Sequence, residues 1–138
     1  MPDAPAARGL IDTSVVIELE RIDPEALPGQ LAVAAITLAE LAAGPHATDD
    51  LIERARRQER LQLTEATFDA IPFDAECARA YGRVYAETVA AGRKARGKRA
   101  LDLLIAATAL AAQLPLYTAN PADFDGLDAL INVTPVEA

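Results

Sequence analysis

Apolar and polar positions follow two different periods along this chain, and the switches between them mark out its elements. Gly9-Leu10-Ile11 is a short apolar run ending at the polar triplet Asp12-Thr13-Ser14, after which Val15, Val16, Leu19 and Ile22 recur at roughly helical spacing. The pattern predicts strand, polar turn, helix. Turns follow at Asp23-Pro24 and Pro28-Gly29, and residues 31–36 form a continuous apolar run of strand length. A helix over residues 38–43 is then stopped by Gly44-Pro45. Residues 48–63, the most charged stretch, carry Glu53 and Arg57 at i,i+4 and predict a partly exposed helix or helix pair. Residues 70–73 predict a short strand, placed at an edge because Pro72 cannot donate to a ladder. From Ala75 onward, Ala78, Tyr81, Tyr85 and Val89 share one stripe, which predicts an amphipathic helix.

Residues 100–112 are apolar almost all round, so the helix they predict belongs inside the domain. Residues 114–117 and 130–133 predict two further strands, with a short turn or helix opening at Asn120-Pro121 between them. Strands that alternate with helices predict an α/β fold. We expect a single domain over residues 1–138, with a central, mainly parallel sheet and helices on both faces.

Composition narrows the chemistry. Hydrophobic residues make up 51% of the chain and aromatics 4%, so the core is built from Ala, Leu, Ile and Val. One cysteine, Cys77, excludes an internal disulfide, and one histidine, His46, excludes a Cys/His zinc site. Cys77 reads as core and His46 as a turn residue. Met1–Arg8 has no apolar run behind a basic patch, so no secretory signal is expected. The longest apolar stretch, 103–117, is broken by Thr108, Gln113 and Pro115, so no membrane span is expected either. The expected location is cytoplasmic. A net charge of −8 opposes general electrostatic binding of nucleic acid, yet it leaves room for a nuclease with a local basic patch and a cation that cancels its carboxylates.

In an open parallel α/β sheet, ligands bind beyond the carboxyl ends of the strands. Asp12 falls there, Glu40 follows the second predicted strand by about one helical turn, and Asn120 and Asp123 follow the strand ending near Thr118. Asp102 interrupts an otherwise apolar helix, where an unpaired carboxylate is costly. Each has a structural reading as well. Asp12 can cap a helix, Thr37 and Glu40 have the T-x-x-E spacing of a capping box, Asp102 can complement its helix end or pair with Arg99, and Asn120-Pro121 fits N-cap followed by N1 proline. What favours a common site is that one sheet edge gathers them all, and clustered carboxylates raise one another's pKa unless a cation intervenes. Oxygen-only donors suit Mg²⁺ or Mn²⁺.

Taken in order, Leu10-Ile11-Asp12-Thr13-Ser14, Thr37-Leu38-Ala39-Glu40-Leu41, Ala100-Leu101-Asp102-Leu103-Leu104-Ile105-Ala106-Ala107 and Tyr117-Thr118-Ala119-Asn120-Pro121-Ala122-Asp123-Phe124 resemble the motifs of PIN-domain ribonucleases. More narrowly, they resemble the VapC-type toxins of bacterial toxin–antitoxin pairs. The resemblance implies a metal-dependent ribonuclease, with metal-binding carboxylates at Asp12, Glu40 and Asp102 and with Thr13, Ser14 and Thr118 lining the site. Many relatives carry an acid where this chain has Asn120, which leaves two candidates for the fourth ligand, Asn120 and Asp123. A homodimer and a cognate antitoxin partner are also implied. The basic stretch Arg93, Lys94, Arg96, Lys98 and Arg99 is a candidate for RNA-phosphate contacts, or else a solvated loop. The competing reading from another class is a non-catalytic acidic module that binds protein or RNA.

Overall fold

Four strands carry the domain in the computed structural model, which describes residues 7–138 and, among these, every side chain except that of Lys98. Residues 1–6 of the stretch read as lacking a secretory signal lie outside the described residues. The strands are β1 (Arg8–Ile11), β2 (Gln30–Ala32), β3 (Leu116–Thr118) and β4 (Val133–Pro135). They pair in the order β2-β1-β3-β4, and every pairing is parallel. Leu10 sits opposite Ala32 on one side and Leu116 on the other, so β1 is internal and the site-bearing residue that follows it lies at the middle of the sheet.

Alternation along the strands shows why helices cover both faces. Leu10, Ala32 and Leu116 point into one buried cluster with Val84, Leu103 and Ile105, whereas their neighbours Ile11, Val33 and Tyr117 point into a second with Val15, Val16 and Leu41. The first cluster is roofed by α4 (Ala75–Ala90) and α5 (Lys98–Ala112), the second by α1 (Thr13–Glu18) and α2 (Ala35–Ala43) with α3 (Leu51–Thr67) outside them. The predicted α/β architecture is the observed one. Among the described residues no helix is long and apolar enough to cross a membrane.

Several predicted boundaries move, each for a physical reason. The apolar run 31–36 is strand only to Ala32; Ala34 is the extended N-cap of α2, and Ala35 and Ile36 form its first turn. An unbroken apolar run gives periodicity nothing to separate strand from helix. The 70–73 segment makes a single parallel bridge, Ala34 to Ile71, with Ile71 N–H donating to Val33 and Ile71 accepting from Ala35 N–H at 2.8 Å. The final strand starts at Val133, since Leu127, Leu130 and Ile131 turn back on themselves to fill the core. The charged segment is one helix that runs on to Thr67.

The stripe assigned to α4 is also corrected. Its buried residues are Cys77, Ala80, Val84 and Thr88, while Tyr85 and Val89 are 47% and 52% exposed. The two stripes differ by about one position, and Tyr81 at their border is half-buried against the core. In a helix with apolar residues on several sides, the neighbour α5 decides which face is covered.

One glycine is fixed by geometry. Gly126 follows the 3-10 turn Pro121–Phe124 with φ +88°, and a Cβ there would lie 2.7 Å from the Cβ of Ala91 at the end of α4. Gly126→Ala combines left-handed strain with overpacking and is expected to cost about 2–4 kcal/mol. Thermal unfolding checks it; an unchanged melting temperature would show that this turn yields freely.

Candidate metal-binding site at the carboxyl edge of the sheet

Asp12 leaves the carboxyl end of β1 with its N–H bonded to the Tyr117 carbonyl at 3.0 Å. It caps α1, as one sequence reading held: Oδ1 accepts from Val15 N–H at 3.1 Å and from the Ser14 hydroxyl at 2.6 Å. Capping does not account for its burial, since the residue is only 4% exposed. Desolvation pushes the Asp12 carboxyl above its ordinary range, hydrogen bonds from Ser14, Thr118 and Val15 partly oppose the shift, and the negative charge of Asp123 adds to it. None of these leading influences is a positive charge.

Hydroxyls knit the surrounding turns together. The Ser14 hydroxyl accepts from Ala119 N–H at 3.0 Å and lies 3.5 Å from Thr118 Oγ1, which in turn accepts from Asn120 N–H at 3.0 Å. The exits of β1 and β3 are thereby locked side by side. Thr13 donates to Glu40 Oε1 at 2.8 Å and lies 3.1 Å from Thr37 Oγ1. Because α2 starts at Ala35, Thr37 is a fully buried residue inside that helix and not its cap, so the capping-box reading of Thr37 and Glu40 fails. Glu40 is instead held toward the Asp12 turn by a hydroxyl from α1. Thr37 is the site neighbour that its supposed capping role concealed; in sequence, the buried side of a helix already carrying Glu40 was the only clue.

Asp102 is half-buried near the start of α5, which packs against both α2 and the Pro121–Phe124 turn. The helix bearing Asp102 thus adjoins both the helix bearing Glu40 and the turn bearing Asp123. Asn120 does not cap that turn with its side chain and is exposed, whereas Asp123 is half-buried and acts on Asp12. As they stand, no three His, Cys, Asp or Glu side chains among the described residues are grouped tightly enough to hold a metal ion.

The basic stretch divides. Arg93 pairs with Asp125 Oδ2 at 3.2 Å and donates to the Ala122 carbonyl at 3.2 Å, while Arg99 donates to the Asp123 carbonyl at 2.9 Å. Both arginines are committed to the turn that carries Asp123. Lys94 and Arg96 are exposed, and the Lys98 side chain is outside those described.

Residues 9–130 match the PIN domain family. This chain belongs to that family. The matched span runs from β1 through the turn after β3, so it contains Asp12, Glu40, Asp102, Asn120 and Asp123. The PIN domain is 35% identical over 136 residues to a protein named Ribonuclease VapC5 from Mycobacterium tuberculosis, covering 96% of each chain. It is 31% identical over 129 residues to Ribonuclease VapC of Rickettsia bellii, covering 88% of this chain and 91% of that one. Among solved structures it resembles the Mycobacterium tuberculosis VapBC-5 crystal structure, described as a member of the VapBC family of toxin–antitoxin systems. The TM-score is 0.81 at 33% identity, covering 96% of this chain and 99% of the other.

Proposed function

We propose that this PIN domain is a metal-dependent ribonuclease and the toxin of a toxin–antitoxin pair, restrained by a cognate antitoxin and active as a homodimer. The observation that carries the chemistry is Asp12: a carboxylate buried at the rim of the central strand, with no positive charge among its leading influences, bonded by the Ser14 hydroxyl beside Thr118, while the hydroxyl of the neighbouring Thr13 holds Glu40. Full-length kinship to proteins named as ribonucleases supports the reaction, and likeness to a solved toxin–antitoxin structure supports the partner.

The donor set fits a hard divalent cation, since its candidates are carboxylates and hydroxyls with no competing thiol or imidazole. Asp12, Glu40 and Asp102 would hold Mg²⁺ or Mn²⁺, and Asp123 is a better fourth candidate than the exposed Asn120 because its charge already acts on Asp12. When bound, the cation supplies Lewis-acid polarisation of the phosphodiester and lowers the pKa of an attacking water. The chain's own part is to orient these oxygens. Ser14 and the Val15 amide fix one oxygen of Asp12, Thr13 fixes Glu40, and exposed Lys94 and Arg96 offer phosphate contacts that position RNA without reading it.

The test is cleavage of single-stranded RNA by the purified protein. Cleavage is expected with Mg²⁺ or Mn²⁺, to stop on adding a chelator, to return with excess Mn²⁺, and to be blocked by the cognate antitoxin. Binding of RNA without turnover, unaffected by the chelator, would establish the non-catalytic module instead. Thr13→Val probes the orienting role of its hydroxyl. It removes the donor to Glu40 and should lower cleavage by about 10- to 100-fold, as read from initial rates over a Mn²⁺ titration; full activity at limiting Mn²⁺ would reject it.

A further inference from the structure

Arg99 stands one turn before Asp102 on α5, and its Nη1 reaches across to donate to the main-chain oxygen of Asp123 at 2.9 Å. Nearby, Arg93 grips Ala122 and Asp125, Asp123 N–H bonds back to Asn120, and Phe124 plugs into the core at 1% exposure. From this arrangement we infer that Arg99 is a positioning residue of the metal centre: one guanidinium sets where the turn bearing Asp123 lies relative to the helix bearing Asp102. The inference rests on the metal-centre reading above and reassigns a residue first considered for phosphate binding.

Two features argue for this role. The bond goes to the Asp123 carbonyl, so the guanidinium leaves the carboxylate oxygens of Asp123 uncommitted among the described residues and available to a cation. A partly buried, charge-assisted hydrogen bond is also stronger and more directional than a neutral one, which suits a strut between two segments 24 residues apart in sequence. Asp102 and Asp123 arrive on different elements, and small displacements of groups that support metal ligands weaken binding disproportionately.

The experiment follows Mn²⁺-induced thermal stabilisation of the full chain, independently of any cleavage. Arg99→Ala should raise the Mn²⁺ concentration giving half the shift by about 10- to 100-fold, and Arg99→Lys, which keeps a cationic donor for the carbonyl, should recover most of the loss. Melting in chelator separately records the contribution of the bond to the fold. If Arg99 acts through Asp123, then Arg99→Ala in an Asp123→Asn background adds no further loss of Mn²⁺ affinity. An unchanged half-saturation in Arg99→Ala, or an undiminished effect in the Asp123→Asn background, would overturn the assignment while leaving the nuclease reading intact. A wild-type protein with no Mn²⁺ response would overturn both.

Discussion

Asp12→Asn is expected to lower RNA cleavage by at least about 100-fold, while the metal-free protein should melt at the same temperature as the parent or higher. The two halves of this expectation come from one observation. Burial raises the Asp12 pKa, so its ionised form is disfavoured in the fold relative to the unfolded chain. The folded state therefore binds the proton more tightly. Without metal, this group supports stability at acid pH, below its unfolded value; that support is lost as pH rises to the elevated folded pKa, and the penalty persists at neutrality. Asparagine removes the charge yet keeps a carbonyl oxygen to accept from the Val15 amide and the Ser14 hydroxyl. Asp102→Asn should abolish cleavage as well. Circular dichroism and melting curves establish that the variants fold; retained cleavage in both would reject the proposed centre.

Adding Mn²⁺ should stabilise the wild-type protein by about 2.7 kcal/mol at a hundredfold excess over its Kd, a rise of about 8 °C for a chain of this size. A bound cation would relieve the desolvated charge of Asp12. Protons and metal compete for Asp12, so the stabilisation should shrink as pH falls through the raised pKa of that carboxyl. In Asp12→Asn and Asp102→Asn the rise should nearly vanish. An equal rise in wild type and both variants would place the cation elsewhere on the molecule.

Much of the arrangement was legible because it depends on local grammar. A three-residue apolar run followed by Asp-Thr-Ser marks β1 and the start of α1, and alternation at Leu10-Ile11, Ala32-Val33 and Leu116-Tyr117 divides residues between two cores. What escaped was decided by contacts distant in sequence. Thr37 and Glu40 have capping-box spacing, but the helix begins earlier, where Ile71 bridges to its N-cap residue Ala34. Tyr85 and Val89 have the right period for a buried stripe, yet α5 covers the adjacent one. A run of basic residues offers no sign that Arg93 and Arg99 reach 29 and 24 positions onward to tie down a turn. Asn120 and Asp123 differ in burial and in their effect on Asp12, which spacing alone does not reveal.

The strand order carries a last consequence. Since β1 lies between β2 and β3, the strand at residues 8–11 becomes interior only once the strand at residues 116–118, more than 100 positions later, has been made. The elements that carry the four proposed acidic ligands, spread from residue 12 to residue 123, adjoin only on closure of that late pairing. A nascent or truncated chain ending before residue 116 lacks the β3 edge altogether, so the proposed centre could not form in it.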